Sequence, residues 1–419
     1  MVSYRPIEGQ RDQGQAASFL SHERTGDVAA HSPHKTPGPL QCLVADAIFD
    51  GERMLTGCAV LIHGGRIVDV VSRDAAPPDG AMIDLGAGSV LAPGFIDVQV
   101  NGGGGVLLND EPTIAGIKTI VAAHRRFGTT GLLPTLITDR RETMERLAGI
   151  AEAALEIPGV FGFHLEGPFL NPRRKGVHPS ARIRSPTPED ISLLHRFGSF
   201  GRSIVTLAPE CVPDGFIADL AACGLRICAG HTDADESIIR RAGDEGLTGI
   251  THLFNAMSQM QARAPGAVGA ALDEARFTLG LICDGYHVDP AMMRIAFRVA
   301  GRDRLMLVTD AMPTVGAHGA GFDLFGHAIK LEGTRLATED GTLAGAHLDM
   351  MGAVRGAVSL MRVSLEDALV MASRTPARFL GLDGMLGAIR KNYRADLVAF
   401  DPNLTVTDTW VAGNRECHG

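Results

Sequence analysis

The chain has 419 residues, 45% hydrophobic and 21% charged, the ordinary range for a globular protein with room for one large domain and a small one. Its formal net charge is -9, with acids and bases mixed along the sequence, which argues against the concentrated basic face of a nucleic-acid binder. No run is apolar and long enough to cross a bilayer, no secretory signal is visible, and seven cysteines without a C-x-x-C pair read as reduced thiols, so the expected compartment is the cytoplasm.

Residues 1–38 are polar and aperiodic, ending in His31-Ser-Pro-His-Lys-Thr-Pro-Gly38, and read as a disordered extension. Short β-rich runs follow at Val44–Ile48, Ala59–Ile62 and Arg66–Val71, with Gly64-Gly65 as a turn between the last two. From about Leu91 the rhythm changes. Apolar runs at Gly94–Val100, Gly131–Thr135, Val160–Leu165, Ser203–Leu207, Arg226–Gly230, Gly249–Thr251, Phe277–Cys283 and Leu305–Thr309 alternate with helical patterns. Ile114, Ile117 and Val121 share one helical face, as do Met144, Leu147 and Ala151, and Ser364-Leu-Glu-Asp367 resembles a capping box. The eight strands with intervening helices predict an α/β protein, a (β/α)8 TIM-like barrel over residues 91–390. Residues 322–342 break the rhythm and read as an inserted β-hairpin. The β-rich end, Ala395–Asp401 and Val406–Val411, predicts a small β-sandwich built from both chain ends, 39–90 and 391–419.

Four ionisable residues sit at the ends of strand candidates: Glu166, His231, His252 and Asp310. In a barrel those ends share one mouth, so residues distant in sequence converge. Two imidazoles and a carboxylate suit a catalytic divalent ion with a position left for water. A further carboxylate, Asp310, can take the water's proton and later deliver it. Singly, each has a plain structural reading: a satisfied histidine, a helix-capping aspartate, a solvated glutamate. The shared position of all four is what favours chemistry.

Pro93-Gly-Phe-Ile-Asp-Val-Gln-Val-Asn-Gly-Gly-Gly-Gly105 resembles the first-strand signature of the amidohydrolase superfamily, with Gln99 and Asn101 where most members carry a His-x-His pair. That substitution is similar to one branch, the N-acetylglucosamine-6-phosphate deacetylases. The resemblance continues through His164-Leu-Glu-Gly-Pro168, Lys175-Gly-Val-His-Pro179, Gly230-His-Thr-Asp233, Thr251-His-Leu-Phe-Asn-Ala-Met257, Ile282-Cys-Asp-Gly-Tyr-His-Val-Asp289, Val308-Thr-Asp-Ala311 and Leu343-Ala-Gly345, spanning about residues 43–412.

The resemblance implies a hydrolase that converts N-acetyl-D-glucosamine 6-phosphate to D-glucosamine 6-phosphate and acetate. It implies Glu166, His231 and His252 as ligands of one divalent metal, zinc first, with iron, cobalt and manganese also compatible. The neutral amides Gln99 and Asn101 are poor ligands for a second ion. Asp310 matches the catalytic acid/base, and His178 matches a histidine that stabilises the oxyanion. Substrate contacts carry over to Val177, Asn255, Ala256, Arg263, His287, Leu343, Ala344 and Gly345, with Arg263 and His287 at the phosphate. Some of these contacts come from a partner subunit, which implies a homodimer. The competing expectations are an amidohydrolase for another N-acyl sugar or amino acid, and a non-catalytic scaffold. A phosphate preference separates the first, and bound metal the second.

Overall fold

The computed structural model describes residues 39–77 and 81–418; the expected N-terminal extension, 1–38, lies outside them. Among the described residues, eight parallel strands form one sheet in chain order: β1 (Phe95–Val100), β2 (Thr129–Ile137), β3 (His164–Glu166), β4 (Ile204–Leu207), β5 (Arg226–Ala229), β6 (Leu247–Ile250), β7 (Thr278–Leu281) and β8 (Leu305–Leu307). Their side chains are nearly all buried, which is why these runs read as continuously apolar rather than alternating. The barrel closes at the mouth. Val100 pairs with Ala311, Asp310 N donates to the Gln99 carbonyl at 3.0 Å, and Asn101 N donates to the Ala311 carbonyl at 2.9 Å.

Helices cover the outside by the faces the sequence marks. Helix Ile114–Arg125 buries Ile117 and Val121 and is capped by Thr113, whose side chain accepts from Gly116 N. Helix Arg141–Leu155 buries Met144, Leu147 and Ala151. Ser364 caps helix Leu365–Ala372 by accepting from Asp367 N at 3.1 Å.

The chain ends build two further sheets. One holds Gln41–Val44, Cys58–His63, Arg66–Ser72 and Ala81–Asp84. The other joins Ala47–Phe49, Met54–Thr56 and Val90–Pro93 to Leu397–Phe400, Val406–Val411 and Asn414–Cys417. Leu43, Val60, Ile62 and Ile67 from the first pack with Ile48, Leu91, Leu397 and Trp410 from the second. Gly65 has φ +78° in the predicted turn, and a Cβ there would lie 2.8 Å from the Ala412 carbonyl oxygen.

Two local expectations need correction. Val44–Ile48 is not one strand: the chain leaves one sheet at Val44 and enters the other at Ala47, where Asp46 accepts from Gly88 N. The segment 322–342 is not a simple hairpin but a three-stranded antiparallel sheet, Gly321–Leu324, His327–Glu332 and Arg335–Ala337. Its Leu324, Ile329 and Leu336 pack on Leu107, Ile137, Met312 and Ala344, which seats this insertion on the barrel mouth.

Candidate active site

Glu166 is the last residue of β3; His231, His252 and Asp310 lie in the turns just past β5, β6 and β8. These three have φ values of +49°, +31° and +53°, a backbone region non-glycine residues seldom occupy and that costs roughly 1–3 kcal/mol each. The side chains therefore leave the strand ends at angles ordinary turns would not give.

Glu166 Oε1, His231 Nε2 and His252 Nε2 converge. Glu166 lies 3.2 Å from His231 and 3.0 Å from His252, and the imidazoles are 3.1 Å apart. Nδ1 of His231 donates to the Arg174 carbonyl at 2.8 Å, which commits its single neutral-form proton and leaves a lone pair on Nε2. That lone pair faces a carboxylate oxygen, an unfavourable pair unless a cation lies between them. Ligands about 2.1 Å from a tetrahedral ion lie about 3.4 Å apart, close to this spacing. The residues present therefore fit a divalent metal. Burial opposes ionisation of Glu166, yet a positive charge beside it, on the His231 and His252 rings or on a cation between them, holds its carboxyl well below the usual range.

Glu166, His178 and His231 form an overlapping trio whose donor atoms all lie within 4.8 Å of one another. The trio with His252 is the tighter and matches tetrahedral spacing better. His178 is buried, and burial followed by the neighbouring His231 pushes it down to about 3, so its ring is neutral. Its Nδ1 lies 2.8 Å from the Thr138 hydroxyl, which also lies 3.2 Å from the Glu166 carbonyl. Thr138 has one hydroxyl proton to share between the Glu166 carbonyl and His178 Nδ1; with that proton on the carbonyl side Nδ1–H donates to Thr138, and with it directed at Nδ1 the neutral ring carries Nε2–H as a donor.

Gln99 and Asn101 have found other partners. The Gln99 amide donates to Glu166 Oε1 at 3.1 Å and to Asp310 Oδ1 at 3.2 Å; Asn101 donates to the same Asp310 oxygen at 2.6 Å. Both partners are carboxylates, so the NH2 groups must face them. Burial, reinforced by the charge of Glu166, pushes Asp310 up to about 6.

A cavity of about 370 Å³ is lined by Glu166, His178, His231, His252, Asp310, His287, Asn255, Ala256, Val177, Leu343 and Gly345. His287 is oriented by Asp284, with Nδ1 2.6 Å from the carboxylate. Segment 343–346 lies against Asp310: Ala346 N donates to the Asp310 carbonyl at 2.9 Å. Gly345 has φ +60°, and a Cβ there would lie 2.9 Å from that carbonyl. A larger cleft of about 610 Å³ between the insertion and residues 175–180 shares Gly176, Val177, His178 and Thr342 with it but contains neither Glu166 nor Asp310, so the chemistry belongs to the smaller cavity.

Two expected contacts do not line the smaller cavity. Ala344 is buried in the apolar cluster under the insertion, and Arg263 is exposed outside the cavity wall. Among the lining residues not anticipated are Arg173 and Arg174, both paired with Asp233. Their position directly before Lys175-Gly-Val-His178 was the signal available.

The Amidohydrolase family model matches residues 90–415. This chain belongs to the amidohydrolase family. The amidohydrolase is 40% identical to the N-acetylgalactosamine-6-phosphate deacetylase of Shewanella sp. (strain ANA-3), over 87% of this chain and 95% of the relative. It is 34% identical to the N-acetylglucosamine-6-phosphate deacetylase of Haemophilus influenzae, over 88% of this chain and 98% of that one. The crystal structure of N-acetylglucosamine-6-phosphate deacetylase from Pasteurella multocida superposes with TM-score 0.87 at 33% identity, covering 90% of this chain and 100% of that one. The Mycobacterium smegmatis enzyme, as a mutant in complex with N-acetyl-D-glucosamine-6-phosphate, superposes with TM-score 0.83 at 34% identity, covering 90% and 99%.

Proposed function

We propose that this amidohydrolase removes the acetyl group from N-acetyl-D-glucosamine 6-phosphate, giving D-glucosamine 6-phosphate and acetate. The observation that carries the reading is the convergence of Glu166, His231, His252 and Asp310 in one cavity that also holds His287, Asn255 and Ala256. The deacetylase names of relatives aligned over nearly the whole barrel support the substrate class.

Glu166, His231 and His252 would hold one divalent ion, with zinc first and iron, cobalt or manganese compatible with the same donors. When bound, the ion supplies acidity to a coordinated water and polarises the amide carbonyl. Asp310 takes the proton of the attacking water and returns it to nitrogen as the C–N bond breaks. Gln99 and Asn101 both engage Oδ1 of Asp310, which leaves Oδ2 for the proton. His178, in the neutral tautomer that carries its proton on Nε2, offers that N–H to the oxyanion. His287, Asn255 and the backbone at Ala256 hold the phosphate, while Val177, Leu343 and Gly345 enclose the sugar.

Arg263, exposed here, would reach the phosphate of a neighbouring subunit's substrate, which requires a homodimer. Among the described residues no helix is long and apolar enough to cross a membrane. We place the enzyme in the cytoplasm, with no nucleic-acid or membrane partner.

A second reading, the C4 epimer N-acetyl-D-galactosamine 6-phosphate, is favoured by the Shewanella relative at 40% identity. Acetate release from both 6-phosphates and from unphosphorylated N-acetylglucosamine decides between them. The first reading expects the gluco 6-phosphate to give the highest kcat/KM. A higher value for the galacto epimer establishes the second, and equal use of the unphosphorylated sugar contradicts both.

A further inference from the structure

The cluster around Glu210 has no part in the chemistry described above, yet it joins three of the loops that form the site. Glu210 lies just after β4. Its Oε1 accepts from the Asn171 side chain at 2.8 Å and from Asp233 N at 2.6 Å, and its Oε2 accepts from the Thr232 hydroxyl at 2.6 Å. Asn171 lies in the loop after β3 that carries Arg174 and His178; Thr232 and Asp233 directly follow His231. The connections close into a ring. Asn171 N donates to the His231 carbonyl at 2.9 Å, the Arg174 carbonyl accepts from His231 Nδ1 at 2.8 Å, and the Arg174 guanidinium donates to Asp233 at 2.9 Å.

We infer that Glu210 is a positioning residue that fixes His231 and the His178 loop for metal binding; this rests on the proposed metal centre. His231 holds a left-handed backbone (φ +49°), a conformation that persists only where its surroundings over-determine it. Glu210 supplies that determination from a third strand end. Alanine at this position leaves three donors short of an acceptor and loosens the two loops that bring the Arg174 carbonyl to His231 Nδ1. Glutamine keeps the shape: its oxygen accepts from Asn171 and Asp233 N, and its NH2 donates to Thr232.

The test is release of Zn²⁺ from the loaded full-length protein to excess chelator at native pH, with the thermal midpoint of each metal-free protein measured alongside. E210A is expected to lose zinc about tenfold faster or more. E210Q stays near the wild-type rate. R240A, which breaks an ion-pair cluster on the outer helices, serves as a control and leaves the release rate unchanged even where it lowers the thermal midpoint. Wild-type zinc loading with unchanged release from E210A overturns the clamp while leaving the metal centre standing. Failure of the wild type to take up zinc, iron, cobalt or manganese removes both. If E210A does not fold, N171A and T232V each delete one donor; faster release from both supports the clamp, and wild-type rates from both overturn it.

Discussion

In the proposed mechanism His178 and Asp310 divide the work of the site by charge state. Burial keeps His178 neutral, so it adds no cation beside the proposed metal ligands. His178→Ala is expected to lower turnover by about 10²–10³ while the protein keeps its metal. Loss of metal with the imidazole would instead make His178 a ligand, as its place in the wider donor trio allows. Asp310 must be ionised to act as a base, and burial lifts it to about 6. A base loses function as it gains its proton, so kcat/KM falls as pH drops through about 6. A profile flat down to pH 4 would contradict that role. At this scale the sequence was legible where a residue's position implied its chemistry: Glu166, His231, His252 and Asp310 mark strand ends, and the structure brings them to one mouth. The partners of Gln99 and Asn101 were not legible. Which carboxylate an amide meets depends on how the barrel closes between β1 and the turn after β8, and that contact spans about two hundred residues.

The elements hold this mouth together through contacts that sequence periodicity cannot express. Barrel strands were legible because they are apolar on both faces, and amphipathic helices because one face is buried. The break at Asp46 was not, since the run around it stays apolar while the chain crosses between sheets. The third strand of the insertion, Arg335–Ala337, is short and its pairing is set by the strand before it. The loop after β1 is secured by a helix. His124, buried in helix Ile114–Arg125, donates through Nε2 to the Gly102 carbonyl at 2.9 Å. Burial pushes His124 from 6.5 down to about 4, with the Gly102 bond opposing it only partly. The unfolded chain therefore binds a proton that the folded chain refuses between those two pH values. Stability attributable to this group is complete above pH 6.5 and declines as pH falls toward 4, by about 3 kcal/mol in all. His124→Gln should flatten that part of the stability–pH curve in chemical denaturation. An unchanged slope would mean that other groups carry it.

The whole molecule is a barrel whose mouth is completed by an insertion on one side and, in the proposed dimer, by Arg263 of a second copy. An exposed arginine outside its own cavity has no evident task within one subunit. Arg263→Ala should raise KM for the 6-phosphate about tenfold or more, since a guanidinium–phosphate pair of this kind contributes on the order of 1.5–3 kcal/mol. It should leave the unphosphorylated sugar unaffected. Mixing inactive Asp310→Asn subunits with Arg263→Ala subunits should then restore low-KM sites, because one site in each mixed dimer has both residues intact. No recovery would place Arg263 within its own subunit or outside the site. The fold class was legible from the alternation of strands and helices, whereas the exposed face of the loop at Arg263 carries no periodic signal. The central claim is that this cavity performs metal-dependent hydrolysis of a phosphorylated N-acetyl amino sugar. It is tested most directly by acetate release from N-acetyl-D-glucosamine 6-phosphate before chelation, after chelation and after readdition of a divalent ion. The account predicts release that chelator abolishes and Zn²⁺, Fe²⁺, Co²⁺ or Mn²⁺ restores; undiminished release from a protein verified free of metal would contradict it.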